Sequence, residues 1–199
     1  MALPDQDYLF GVLKGDGCVG LDSHNNHYFA VTSTDFDFLE KINKDIETSY
    51  NYKSKIKDII IRGNRKPTKQ LNVYKNQIAL DIKNIKLKNY ARYLSGLFDS
   101  EGHASYRIRN DGYEELQIGL VTTDKDTALN AIIGLNKFNI KLGKLIEEKT
   151  RHGKDVYRIR IKINLENVLR FYKIVNPIIE RKRNNIEKYL LRRDKNEFA

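Results

Sequence analysis

A ten-residue motif occurs twice in the sequence, and this duplication limits the folds that the chain can adopt. Residues 8–17 read Tyr-Leu-Phe-Gly-Val-Leu-Lys-Gly-Asp-Gly, and residues 93–102 read Tyr-Leu-Ser-Gly-Leu-Phe-Asp-Ser-Glu-Gly. The two acids near the end of the motif, Asp16 and Glu101, are 85 residues apart (101 − 16) in a chain of 199 residues. We therefore expect two copies of one folding unit, each with one carboxylate at the same place.

Each copy of the motif also has the pattern of a helix that packs closely against a second helix. Small residues lie four positions apart, at Gly11 and Gly15 in the first copy and at Gly96 and Ser100 in the second. A glycine inside a helix is destabilising by about 1 kcal/mol relative to alanine, but small residues at this spacing let two helix backbones approach closely. We therefore expect the two motif helices to pack on each other, with the motif acids side by side at their C-terminal ends.

Two carboxylates in this position predict a metal site. They repel each other, and the negative ends of two helix dipoles add to the repulsion. A divalent cation relieves it, and oxygen ligands favour Mg²⁺, which also binds water and phosphate oxygens. Such a cation can assist an in-line displacement at phosphorus. Asp16 and Glu101 are therefore the candidate metal ligands; the alternative is that the two acid–glycine pairs only end the helices.

The segments after the motifs are predicted to follow the same order in both repeats. In the first repeat the motif helix starts at Pro4 or Asp5 and is followed by strands on either side of a turn at 22–26, a helix at 34–46, strands at 52–61 and 70–74 around a turn at 63–67, and a helix at 77–85. In the second repeat the motif helix is followed by strands at 105–109 and 116–122, a helix at 123–138, strands at 144–148 and 156–163, and a helix at 165–174. A basic helix is predicted at 177–199. This order predicts an α+β chain with two αββαββα units, residues 1–87 and 88–199.

The chain is basic, and the charge is concentrated in its second half. The formal net charge is +10; residues 1–87 hold 13 Lys or Arg against 11 Asp or Glu, and residues 88–199 hold 23 against 15. This balance indicates a polyanionic partner such as a nucleic acid. The alternative is an ordinary basic protein from an AT-rich genome, since Lys, Asn and Ile are abundant.

No sequence feature indicates secretion or insertion into a membrane. Cys18 is the only cysteine, so an intramolecular disulfide is impossible, and no apolar run approaches the length of a membrane span. The first residues lack the pattern of a signal peptide. We expect a protein of the cytoplasm, or of an organellar matrix if its gene is organellar. The length leaves no room for protein-splicing domains, so we expect a free-standing product.

The paired motifs resemble those of the LAGLIDADG homing endonucleases, in the single-chain form with two motifs. Residues 9–17 and 94–102 occupy the nine motif positions, and the repeated order of elements covers nearly the whole chain. The resemblance implies two pseudo-symmetric units with the motif helices at their interface and two four-stranded antiparallel sheets that form a DNA-binding saddle. It also implies a monomeric enzyme that cleaves both strands of a long DNA site by metal-dependent hydrolysis and leaves short 3′ overhangs, with Mg²⁺ or Mn²⁺ as cofactor.

The resemblance further assigns roles to individual residues. It places the metal on Asp16 and Glu101, with backbone contacts from Gly17 and Gly102. It also implies a basic residue near each scissile phosphate, and the patterns at 85–88 and 179–182 point to Lys88 and Lys182. The chain departs from many relatives at Lys14, where they carry an acid as the second motif does at Asp99.

Alternation along the predicted strands places basic and polar side chains on one face of each sheet. Arginine can pair with guanine in the major groove, and asparagine or glutamine can pair with adenine. The candidate DNA contacts are Lys53, Lys55, Lys57, Asn72, Tyr74, Arg107, Arg109, Gln117, Arg158, Arg160 and Lys162.

Two other functions are compatible with this pattern. An RNA-splicing maturase would share the fold and the basic surface without requiring the motif acids. A non-catalytic DNA-binding regulator would be expected to have lost those acids. The presence of both Asp16 and Glu101 favours cleavage.

Overall fold

The computed structural model describes residues 6–60 and 67–197, and it divides the chain into two compact units, Met1–Ser100 and Glu101–Ala199. The predicted helix start at Pro4 or Asp5, and residues 63–66 of the predicted turn, lie outside the described residues. The predicted boundary between residues 87 and 88 separates the two sequence repeats, and it stays a prediction. None of the helices in the described part of the chain has both the length and the apolar character to cross a bilayer.

The first unit contains a four-stranded antiparallel sheet in the order β1-β2-β4-β3. Its elements are α1 (Gln6–Lys14), β1 (Gly17–Leu21), β2 (His27–Ser33), α2 (Phe36–Tyr50), β3 (Lys55–Ile59), β4 (Thr68–Val73) and α3 (Asn76–Lys83). A further helix, α4 (Tyr90–Glu101), carries the second motif, and its residues up to Ser100 belong to this unit.

The second unit repeats the arrangement, with a sheet in the order β5-β6-β8-β7. Its elements are β5 (Gly102–Ile108), β6 (Glu114–Thr122), α5 (Lys125–Lys137), β7 (Leu142–Lys149), β8 (Asp155–Ile161), α6 (Leu165–Val175) and α7 (Glu180–Glu197). The predicted α+β class, with two four-stranded antiparallel sheets, is therefore confirmed.

One strand begins later than predicted because a side chain occupies its backbone groups. The strand predicted from residue 52 starts at Lys55. The Asn43 side chain accepts a hydrogen bond from Ser54 N at 3.0 Å and donates one to Ser54 O at 3.1 Å. The backbone N–H and C=O groups of Ser54 are thus both bound to the Asn43 side chain on α2, so neither is free to pair with a neighbouring strand.

A second asparagine side chain binds the backbone at the end of β8, which stops at Ile161 and not at residue 163 as predicted. The Asn167 amide donates hydrogen bonds to Lys162 O at 2.7 Å and to Lys141 O at 2.9 Å, and its oxygen accepts one from Lys141 N at 2.7 Å. This buried side chain therefore ties the start of α6 to the residue before β7 and to the residue after β8.

Strand alternation gives each sheet one buried face. In the first unit Phe29, Val31, Leu71 and Val73 are fully buried beneath the helices. In the second unit the corresponding face is formed by Ile118, Leu120, Ile159 and Ile161. The opposite faces carry the polar residues, as the sequence predicted.

The motif helices α1 and α4 are in backbone contact within the first unit. A Cβ atom on Gly11 would lie 2.7 Å from Leu97 N and closer still to Tyr93 O, and one on Gly96 would lie 2.9 Å from Tyr8 C. Real Cβ atoms do not approach backbone this closely, so only glycine fits at either position. The predicted close packing of the two motif helices is thus present in the structure.

We predict that Gly96→Ala destabilises the chain although alanine is the better helix former. The helix propensity of alanine contributes about 1 kcal/mol, but the added methyl group meets backbone that cannot move independently, and overpacking of this kind reduces the free energy of unfolding by about 1–3 kcal/mol or more. Urea unfolding measures the difference.

Gly20→Ala is the matched control. A Cβ there would lie 2.7 Å from the hydroxyl oxygen of Tyr28, on a side chain that can rotate away. We expect a change of less than about 1 kcal/mol. Equal losses in the two variants would contradict the close packing of α1 and α4.

Candidate metal and nucleic-acid site

The two motif acids follow the last turns of the motif helices. Asp16 lies in the turn between α1 and β1 and is exposed, and Glu101 is the last residue of α4 and is half-buried. Each carboxylate thus lies at a helix end where carbonyl groups have no intrahelical partner. The helix dipole disfavours an acid there, so both positions favour a bound cation.

The chain turns sharply between α1 and β1, and only glycine fits at position 17, where β1 begins. A Cβ at this residue would lie 2.8 Å from Leu13 Cα and 2.9 Å from Val12 O. The backbone directly after Asp16 is therefore held against the last turn of α1. Gly102, its counterpart, is buried and begins β5 directly after Glu101. The predicted backbone contacts of these glycines with a metal stay predictions.

The two acids have the chemistry of ligands for a hard divalent cation. Carboxylate oxygens suit Mg²⁺ and Mn²⁺. Within residues 6–60 and 67–197, no group of three or more His, Cys, Asp or Glu side chains could hold a metal. A cation bound to either carboxylate would take most of its remaining ligands from water or phosphate oxygens.

The other acid of the second motif, Asp99, is buried and connects the motif helices. Its side chain is 1% exposed and accepts a hydrogen bond from the Tyr8 hydroxyl at 3.1 Å. Burial, followed by the nearby charge of Asp99, raises the pKa of Tyr8 well above its ordinary value. The cations of Lys41 and Arg92 lie 5.2 and 5.5 Å from the centre of the Tyr8 ring. Asp99 therefore fastens α1 to α4.

Asn89 caps the start of α4, where its side-chain oxygen accepts hydrogen bonds from Ala91 N at 3.1 Å and Arg92 N at 3.3 Å. Asp7 on α1 binds the two residues before the helix. Its carboxylate oxygens accept hydrogen bonds from Lys88 N at 2.9 Å and from Asn89 N at 3.0 Å. Asp7 thus fixes the chain segment that leads into α4, and its negative charge near the helix N-terminus interacts favourably with the helix dipole. The exposed Lys88 side chain lines a concavity of about 470 Å³ beside α3.

Lys182 has a different environment from Lys88. It lies in the first turn of α7 and is 1% exposed. Its positive charge is one of the causes that lower the pKa of His103, after burial of the ring and the charge of Arg160. One predicted phosphate-contacting lysine is thus exposed and the other buried; both roles stay predictions.

The structure brings together the five DNA contacts predicted in the first unit. Register pairs Lys55 with Asn72 across β3 and β4, so both side chains lie on the open face. A concavity of about 230 Å³ is lined by Tyr52, Lys53, Ser54, Lys55, Lys57, Asn72 and Tyr74.

Neutral side chains link three positions on this open face. The Asn72 amide donates to Gln70 Oε1 at 3.0 Å, and the Gln70 amide donates to Thr32 Oγ1 at 3.3 Å. Nearby, the rings of Tyr28 and Tyr74 are 5.7 Å apart. The face therefore combines amides, aromatic rings and lysines.

In the second unit, register places Arg107, Gln117, Arg158 and Arg160 on the same open face. Lys162 lies just beyond the end of β8. Arg109 lies beyond the end of β5, where its Nη2 atom is 3.5 Å from Asp111 Oδ2. These six predicted contacts belong to one unit, but only four of them lie within strands.

Two acids on the same face were not identified from the sequence. Glu115 accepts hydrogen bonds from Arg107 and Gln117, and Glu148 pairs with Arg158 at 2.5 Å. The alternation of side chains along β6 is a sequence signal that could have placed Glu115 on the same face as Gln117. Its pairing with Arg107 depends on the strand register, which the sequence does not show.

With this geometry established, comparison with known proteins gives one family match, to the LAGLIDADG-like domain over residues 88–176. This match lies within the second repeat. No curated protein matches the sequence.

Solved structures match nearly the whole chain. Mesophilic variants of the homing endonuclease I-DmoI superpose with a TM-score of 0.62 at 15% identity, covering 87% of this chain and 96% of theirs. The homing endonuclease I-WcaI, bound to its DNA recognition sequence, gives 0.58 at 16% identity, covering 92% and 85%. The N-terminal LAGLIDADG domain of DUF199/WhiA gives 0.60 at 16% identity, covering 86% and 80%. At these identities the likeness is one of fold, and the predicted resemblance to two-motif LAGLIDADG proteins is confirmed.

We predict that Tyr8→Phe lowers the free energy of unfolding at pH 7 by about 1–3 kcal/mol, because it removes a buried hydrogen bond to a carboxylate. Above pH 10 the unfolded chain loses the Tyr8 proton while the folded chain keeps it, so the wild-type protein loses stability as the pH rises. Phenylalanine has no proton to lose at this position. The difference in the free energy of unfolding between wild type and Tyr8→Phe should therefore become smaller as the pH rises above 10.

Urea unfolding at pH 7 and pH 10.5 measures both effects. Tyr113→Phe, at a residue that is 60% exposed, is the control and should have little effect on stability at pH 7. A difference between wild type and Tyr8→Phe that does not change with pH would contradict the raised pKa of Tyr8.

Proposed function

We propose that this chain is a site-specific DNA endonuclease that makes a double-strand break in a long target by metal-dependent hydrolysis of phosphodiester bonds, with short 3′ overhangs. The observation that carries the proposal is the pair of motif helices. Backbone contact joins α1 and α4 through Gly11 and Gly96, and an acid at the same motif position lies at the C-terminal end of each helix, just after α1 and at the last residue of α4. A purely structural helix pair has no need of these two acids.

In this proposal Asp16 and Glu101 bind Mg²⁺ or Mn²⁺, with backbone contacts from Gly17 and Gly102. When bound, the cation supplies Lewis acidity for water activation and for stabilisation of the leaving oxygen. Exposed Asp16 and half-buried Glu101 have the oxygen donors for this role. Lys88 and Lys182 are proposed to stabilise phosphate charge or to orient water, each near one scissile phosphate.

We further propose that the open face of each sheet contacts one part of the DNA target. The polar and basic side chains on both open faces support this, as does the net charge of +10. Similar structures were solved with DNA: I-DmoI with DNA and Mn, and I-WcaI with its recognition sequence. Because both motifs lie on one chain, a monomer should act on one site.

A second candidate is a DNA-binding protein that does not cleave. The likeness to the LAGLIDADG domain of DUF199/WhiA shows that the fold is not confined to proteins described as endonucleases. The two candidates differ in what the motif acids do, so substitution of those acids distinguishes them.

We predict that Asp16→Asn and Glu101→Gln each abolish double-strand cleavage, or limit it to a nick, while DNA affinity changes only a few-fold. Each substitution removes the charge of a metal ligand and keeps its size, and metal-assisted steps of this kind depend on the ligand charge. Cleavage of a site selected from a random library, in Mg²⁺ and in Mn²⁺, measures the effect.

Glu166→Gln is the matched control, because Glu166 is an exposed acid on α6 that pairs only with the nearby Arg170 among the contacts described. It should leave cleavage unchanged. Undiminished cutting by both motif variants would refute the metal assignment, and specific binding by the wild type without cutting in either metal would establish the non-cleaving alternative.

We also predict a steep dependence of DNA affinity on salt. Each phosphate neutralised contributes about 0.9 to the slope of log K against log salt concentration, so six or more contacts reduce affinity by roughly a thousandfold between 50 and 200 mM salt. Fluorescence titration of a duplex target measures this slope, and its end point should give one chain per duplex. A flat salt response would contradict binding through phosphates.

A further inference from the structure

Glu115, on the open face of the second sheet, holds two of the side chains predicted to contact DNA. Its Oε2 atom accepts a hydrogen bond from Arg107 Nε at 2.7 Å and forms an ion pair with Arg107 Nη2 at 2.5 Å, and its Oε1 atom accepts a hydrogen bond from Gln117 Nε2 at 2.6 Å. Arg107 is its direct cross-strand partner, and Gln117 lies two residues along β6. The hydrogen bond from Arg107, followed by that from Gln117, holds the pKa of Glu115 below its ordinary value.

The pairing leaves a recognition edge available on both side chains. Arginine has five N–H donors, and Arg107 directs those of Nε and Nη2 to Glu115, while 70% of its side chain stays exposed. The outer edge, formed by Nη1 and the second hydrogen of Nη2, matches O6 and N7 of guanine. Gln117 donates one amide hydrogen to Glu115, so its oxygen and second hydrogen are left for N6 and N7 of adenine.

The charge of Glu115 also affects which part of a duplex can lie against this patch. An unpaired arginine binds phosphate strongly, but a carboxylate next to Arg107 neutralises that attraction and repels the DNA backbone. Neutral base edges carry no such penalty. The three side chains together therefore favour contact with bases over contact with phosphates.

We propose that Glu115 is a specificity-determining positioning residue, which holds Arg107 on a guanine and Gln117 on an adenine in neighbouring base pairs of the target. This inference rests on the proposed DNA recognition but not on cleavage. It assigns sequence discrimination to a residue whose own charge opposes binding to DNA.

Selection from a randomised duplex library without divalent cation tests the inference independently of cleavage. The wild type should recover sites with guanine and adenine at neighbouring positions. Glu115→Gln should reduce the guanine preference by roughly 5- to 150-fold, the discrimination of one bidentate contact. It should also bind random DNA several-fold more tightly, because a negative charge is lost.

Glu148→Gln is the matched control, since it makes the same charge change on the same face and breaks the pair with Arg158. It should raise the affinity for random DNA by a similar factor and leave unchanged the preference for the guanine assigned to Arg107, because Glu148 pairs with Arg158 and not with Arg107. Arg107→Ala should remove that preference, and adding Glu115→Gln to it should have no further effect at that position, since the two residues act as one unit.

Arg107→Lys provides a second test that leaves Glu115 in place. It keeps the positive charge but removes the planar guanidinium group that can make two parallel hydrogen bonds. The variant should therefore lose the same guanine preference, while the dependence of DNA affinity on salt concentration stays unchanged. An unchanged preference in both Glu115→Gln and Arg107→Lys overturns the inference, as does an equal loss in Glu148→Gln. If the wild type selects no sequence at all, the proposed DNA recognition itself is refuted.

Discussion

The backbone contact between α1 and α4 is the constraint on which the first unit depends. At Gly11 and Gly96 a single methyl group would collide with the facing helix backbone. Close approach of the helices in turn brings the Tyr8 hydroxyl within 3.1 Å of Asp99, so that a buried carboxylate has a partner. The same approach lets Asp7 reach the first peptide groups before α4. The helix packing and both of these contacts therefore depend on the absence of side chains at Gly11 and Gly96.

Local patterns were sufficient to predict the elements of this fold. The repeated motif, the helical spacing of apolar residues and the turn signals gave the order of helices and strands in both repeats. The small residues at Gly11 and Gly96 predicted the close helix pair, because the reason for tolerating glycine within a helix is itself a packing requirement.

The sequence was less informative wherever the outcome depended on partners distant along the chain. Asn43 delays the start of β3 by binding Ser54, eleven residues away. Lys182 and Asp99 are charged residue types that usually lie on the surface, yet each is 1% exposed. The Arg107–Glu115 pair depends on strand register, which alternation alone does not determine. Such contacts need the tertiary structure.

The two open faces differ in chemistry. The first sheet presents lysines beside a chain of neutral amides, and none of the described strand residues on that face is acidic. The second sheet presents arginines, two of which are held by glutamates. Lysine is a flexible point charge, whereas arginine held by a carboxylate has a fixed orientation. The two faces are therefore suited to different degrees of sequence discrimination.

The contact of Asp7 with the residues before α4 also determines where such a chain can be recombined. The second sequence repeat is predicted to begin at residue 88, but the compact first unit continues to Ser100 and includes most of α4. Joining halves of two related proteins at the repeat boundary would separate Asp7 from the residues that it binds before α4, and Gly11 from the helix that it contacts. A junction after α4 would take both motif helices from the same parent protein. The chimera would then keep the close backbone contact between α1 and α4 unchanged.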